Sequence, residues 1–144
     1  MIVFEFKAKG TKQQYQKIDQ AIRITQFIRN KCLRFWMDNQ NVKYYDLNKH
    51  TAVLANEFDF ADKLNSMARQ AAAERTAFAI KRFFDNCKAK VPGKKGYPRF
   101  QKNNRSVEYT ALTDVMRYKV TPPPTPSPLF ERGLNMYLIR AETP

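Results

Sequence analysis

Histidine, cysteine and glycine are scarce in this chain of 144 residues, which holds one His, two Cys and four Gly. His50 stands alone in a polar stretch, so neither a Cys/His catalytic couple nor a histidine-based metal cluster is indicated. Cys32 and Cys87 are far apart and make no Cys-x-x-Cys spacing, which argues against a disulfide framework and a zinc site. Both read as small apolar side chains in a reducing cytoplasm. No apolar run approaches membrane-spanning length, and Met1-Ile2-Val3-Phe4-Glu5-Phe6-Lys7 is too short and too charged for a signal peptide. The expectation is a soluble cytoplasmic protein with no membrane partner. With glycine so rare, a phosphate-cradling loop of Walker type is also missing: Gly93-Lys94-Lys95-Gly96 lacks the following Ser or Thr and the helix that such a loop needs.

Acidic residues are the other shortage, 13 Asp and Glu against 26 Lys and Arg, for a net charge of +13. Like charges in that excess repel one another in the compact state, and a polyanion whose counterions are released on binding relieves them. The excess is concentrated: no carboxylate lies between Asp85 and Glu108. Within that gap Gly93-Lys94-Lys95-Gly96-Tyr97-Pro98-Arg99-Phe100-Gln101-Lys102-Asn103-Asn104-Arg105 interleaves cations with two rings on a backbone directed by two glycines and a proline. Nucleic acid presents phosphates for the cations and flat bases for the rings. Lys94, Lys95, Tyr97, Arg99, Phe100, Lys102 and Arg105 are therefore the first candidate binding residues. The bland alternative is a solvated, flexible connection; against it stand the rings of Tyr97 and Phe100, which are expected to fasten the loop to the neighbouring sheet while the cations reach RNA phosphates.

Periodicity outlines the rest. Ile2 to Lys9 alternates as a half-buried strand ended by Gly10. From a Thr11 cap, Tyr15, Ile18, Ala21, Ile22, Ile28, Cys32, Leu33, Phe35 and Trp36 form one apolar stripe, predicting a helix to about Asp38 or Asn39. A shorter helix is expected over Leu47 to Phe58, then a joint at Phe58 to Asp62 whose aspartates read as caps, then a long helix over Leu64 to Cys87. That last helix is apolar on two sides, with Phe78 and Phe83 on one and Ile80 and Phe84 on the other, so it is expected between neighbours. Arg75 and Arg82, seven residues apart, share a line on it. They either snorkel and pair with Glu74 or Asp85, or face a channel and hold phosphates. Ser106 to Thr110 and Val115 to Val120 read as further strands. Pro122, Pro123, Pro124, Pro126 and Pro128 then remove donors and fix φ, so everything from Pro122 on is expected to be a disordered tail.

Three segments carry a resemblance: Arg29-Asn30-Lys31-Cys32-Leu33, Ala71 to Phe84 with Ala77-Phe78 and Phe83-Phe84, and Gly96-Tyr97-Pro98-Arg99-Phe100-Gln101-Lys102 followed by Arg105-Ser106. In this order the chain resembles the amino-terminal part of the OrfB/TnpB family, transposon-encoded RNA-guided DNA nucleases of insertion sequences, over about residues 1 to 110. The resemblance implies an α+β fold: residues 1–10 a first strand of a small, incomplete wedge-like β-barrel, 11–90 a three-helix recognition region, 91–120 the basic loop and remaining strands, and 121–144 the tail. It also implies guide RNA and target DNA as partners, with no small-molecule substrate. Ser66, Arg69 and Gln70 would reach base edges of the motif flanking the target.

The family's magnesium-binding carboxylates and its zinc element belong to a later nuclease domain. Glu108, Asp114, Glu131 and Glu142 are too scattered to hold two metal ions a few Å apart, so no catalytic residue and no cofactor is expected in this chain. Binding without cleavage is the expectation. A stand-alone basic RNA- or DNA-binding protein, architectural or regulatory, is the alternative.

Overall fold

The computed structural model describes residues 3–110, 117–121 and 137–142. Alternation at the start of the chain gives strand β1 (Val3–Ala8), after which Gly10 and Thr11 turn the backbone into helix α1 (Lys12–Asp38). Thr11 Oγ1 accepts from the Gln14 N–H at 3.4 Å while Gln14 Oε1 accepts from the Thr11 N–H at 2.8 Å, a reciprocal box that satisfies two donors the helix start leaves open. Tyr15 then ties strand to helix: its hydroxyl accepts from the Gly10 N–H at 2.7 Å and donates to the Ala8 carbonyl at 3.4 Å.

Helix α2 (Tyr44–Glu57) starts earlier than the expected Leu47, because the Asp46 carboxylate accepts from the Lys43 N–H at 2.9 Å and makes a cap that the apolar pattern does not reveal. The joint condenses into one turn, α3 (Asp59–Asp62). Helix α4 (Ser66–Lys88) follows, with Asn65 Oδ1 accepting from the Met67 N–H at 2.8 Å.

The core lies where these helices meet. Ile28 and Cys32 of α1, Leu47 and Leu54 of α2, Ala61 of α3, Leu64, and Ala68, Ala72, Ala73 and Ile80 of α4 are all buried in one cluster. Alanines dominate the α4 side, so its backbone comes close to α1 and α2 at once. Two-sided burial of α4 was legible, but its extent was not: Phe78 and Phe84 are about half exposed, at 50% and 47%, while Thr76 is buried with its hydroxyl donating to the Ala72 carbonyl at 3.0 Å.

Strands β2 (Val107–Thr110), β3 (Arg117–Thr121) and β4 (Tyr137–Glu142) join β1 in one antiparallel sheet of order β1-β4-β3-β2. The register runs Val3 opposite Glu142 and Ala8 opposite Tyr137 on one side of β4, and Arg117 opposite Glu142 and Thr121 opposite Leu138 on the other. This corrects the expected disordered tail: residues Tyr137–Glu142 form an interior strand, because Tyr137 to Ala141 supplies β-formers that find two partner strands. The proline cluster from Pro122 to Pro128 lies outside the described residues. At the coarse level the fold is α+β, with four helices placed between the first and second of the described strands. Val107, on β2, is buried against the helices and joins the two parts.

Candidate nucleic-acid interface

Beyond α4 the chain has no regular structure until β2, yet its path is fixed residue by residue. Gly93 and Gly96 both take positive φ, 81° and 78°, conformations that favour residues without Cβ. Asn86 Nδ2 donates to the Lys95 carbonyl at 3.1 Å. Tyr97 then packs on helical rings, its centroid 5.9 Å from Trp36 and 5.1 Å from Phe83, while Pro98 is buried. The ring therefore fastens the loop to α1 and α4, where an anchor on the sheet was expected.

From Tyr97 the segment runs back along α1. Asn30 exchanges two hydrogen bonds with the Gln101 backbone: its Nδ2 donates to the carbonyl and its Oδ1 accepts from the N–H, each at 2.9 Å. One turn earlier, Gln26 Nε2 donates to the carbonyls of Gln101 and Lys102 at 3.0 and 2.8 Å, and Gln26 Oε1 accepts from the Asn104 N–H at 2.9 Å. Asn104 Nδ2 completes the series by donating to the Ser106 carbonyl at 2.8 Å and the Ile22 carbonyl at 3.5 Å. Two amide side chains on successive turns of α1 thus replace the strand partner that an extended segment normally needs. Sequence reasoning missed Gln26 and Asn30. Their i, i+4 spacing facing an acid-free loop was the available signal.

The candidate cations separate into two groups. Lys94, Arg99, Lys102 and Arg105 are exposed, and among the described residues they make no ion pair with a carboxylate. Lys95 is half-buried, and its ammonium donates to the Val91 carbonyl, closing the turn. Phe100 is 46% exposed and lines a groove of about 480 Å³ with Arg23, Gln26, Phe27, Asn30, Lys31 and Arg34.

Arg75 makes a contact between elements. Its guanidinium pairs with Glu108 on β2. Lys119 on β3 stands 4.0 Å from the same carboxylate, and Arg29 lies in the same field. Burial lowers the Arg29 pKa, the neighbouring charge of Arg75 lowers it further, and Glu108 opposes both. One carboxylate thus organises cations from α1, α4 and β3 where helices and sheet meet. Arg82, two turns on from Arg75, is exposed.

Ser66, Arg69 and Gln70 do converge, lining a shallow depression with Tyr45, Asn48, Lys49, Thr51 and Ala52 of α2. Arg69, however, is committed to the fold. Its Nη1 donates to the Leu64 carbonyl at 2.9 Å and pairs with Asp62 at 3.1 Å, holding the α3 turn against α4. Asp62 accordingly acts through Arg69 and not as a helix cap.

Among the described residues no group of three or more His, Cys, Asp or Glu could hold a metal ion. Cys32 is buried and its thiol is pushed up to about 12 by that burial, whereas Cys87 is exposed on α4. Among the described residues, no helix is long and apolar enough to cross a membrane. No protein-family model matches the chain, and no curated protein does.

Proposed function

We propose that this chain is a nucleic-acid-binding module that grips RNA and DNA without cutting them, as expected of the amino-terminal part of an OrfB/TnpB-like protein. The observation that carries this reading is the basic loop held on α1: Gln26, Asn30 and Asn104 fix its backbone while Lys94, Arg99, Lys102 and Arg105 stay exposed. A pre-ordered loop forfeits little conformational entropy on binding, so phosphate contacts translate into affinity with little loss. In this reading the sheet corresponds to part of a wedge-like barrel and the helices to a recognition lobe. Guide RNA and target DNA are the partners.

Strand β4 favours a second reading alongside the first. It lies between β1 and β3, so residues 137–142 belong to the fold and are not an appended peptide. That supports a basic RNA- or DNA-binding protein acting in its own right.

Both readings meet the same test. With Lys94, Arg99, Lys102 and Arg105 changed together to Ala, the log-log salt dependence of RNA binding flattens by up to about 3, at roughly 0.7 per lost phosphate contact on a single strand. Fluorescence anisotropy across a salt series measures it, and a slope equal to that of the parent protein refutes the proposal.

A further inference from the structure

The loop and α1 enclose more than a basic surface. Between them lies the groove of about 480 Å³, inside the roughly 300–1,000 Å³ span of sites that take small molecules or pieces of polymers. Its wall on α1 carries Arg23, Lys31 and Arg34 and no carboxylate, and its far side is Phe100. Arg34 pairs with Asp38 at 2.8 Å on the exposed face of the helix, but among the described residues neither Arg23 nor Lys31 pairs with an acid. Lys31 instead sits over the rings of Phe27 and Phe58, 5.5 and 5.4 Å from their centroids. Phe27 is further engaged edge-on by Phe58 and Phe60, at 5.1 and 4.9 Å. Phe100 differs: among the described residues its ring meets no other ring and no cation, although it is nearly half exposed.

We infer that this groove holds a short single-stranded stretch of nucleic acid, with phosphates on Arg23 and Lys31 and a base stacked on Phe100. The inference rests on the nucleic-acid reading above and specifies which form of the polymer the site takes. Charge selects an anion, since the lining holds three cations and no acid. Shape favours a free strand: an unpaired base offers its face to the ring without the cost of unstacking a duplex. Arg23 to Lys31 spans eight residues of α1, about 12 Å at 1.5 Å per residue, the reach of a short stretch of strand. Gln26 and Asn30 are already bound to the loop backbone, so few side chains remain to read base edges and little sequence preference is expected.

Binding of the full chain to labelled RNA and DNA oligomers of one sequence, single-stranded and duplex, tests this. Phe100→Leu should weaken single-strand binding about tenfold or more while leaving duplex binding unchanged, and Phe100→Trp should restore it. Arg23→Ala with Lys31→Ala should lower the single-strand salt slope by about 1.4, two contacts at roughly 0.7 each. Circular dichroism melting confirms that each variant keeps its fold. Whichever of RNA or DNA loses more on Phe100→Leu identifies the natural strand. Equal losses on single strand and duplex, or no loss on either, overturn the inference while the loop-cation result still stands. Failure of the parent protein to bind any nucleic acid overturns both.

Discussion

Cys32 and Cys87 show how far one side chain's surroundings decide its chemistry. Burial keeps the Cys32 thiol protonated, while Cys87 meets solvent, so a thiol-reactive dye should label one cysteine in the native protein and two in denaturant. Two labelled thiols without denaturant would contradict the packing of α1 on α2. His50 offers a second probe. Its ring stacks on Phe35 with centroids 4.4 Å apart, and burial lowers its pKa, with Lys31 adding to the effect and Glu57 opposing it. A histidine depressed in this way stabilises the fold above its ordinary pKa, and the contribution is lost as pH falls through the folded value. Between about pH 8 and 5 the melting temperature of the parent protein should therefore fall more steeply than that of His50→Gln. Parallel profiles would refute this. Nothing in the sequence signals this contact, because stacking on a ring one helix away leaves no periodic trace. The same holds for Arg75 and Arg69, whose carboxylate and carbonyl partners come from β2 and the α3 turn.

Helices were the most legible elements and the spaces between them the least. A Thr11 cap and a stripe at three and four gave α1 almost to the residue, since both signals are local. The contacts that make α4 a shared spine are not local. Ala73 is fully buried between neighbours, so Ala73→Leu should destabilise by about 1–3 kcal/mol in urea unfolding, whereas Ala52→Leu on an exposed turn of α2 should have little effect. The basic segment was legible by composition as an acid-free run of cations and rings. Its attachment was not, because Gln26 and Asn30 look like ordinary polar residues of a solvated helix face until the loop lies against them. The proline cluster obscured β4 for a related reason: five prolines dominate the local composition, while the pairing of Phe6 and Val120 with Ile139 is a long-range fact.

The whole molecule is two structures locked together through β2, where Val107 enters the helical core and Glu108 gathers Arg75 and Lys119. Because β4 is interior to the sheet, Ile139→Pro should be far more disruptive than its position near the end of the chain suggests. It removes a ladder donor opposite Phe6 and Val120, and a loss of strand signal in circular dichroism with the helical signal largely kept is the expected outcome. An unchanged spectrum would argue against the sheet order. That order also sets a timetable. Val3 pairs with Glu142, so during synthesis β1 waits for a strand made long after it, while the helices between them can close on contacts already made. Until then β1 has no partner of its own, and on crowded polysomes the β4 of a neighbouring chain offers the same register. Strand exchange between nascent copies is thus the misassembly this topology invites, and slower translation or lower expression is the condition that suppresses it.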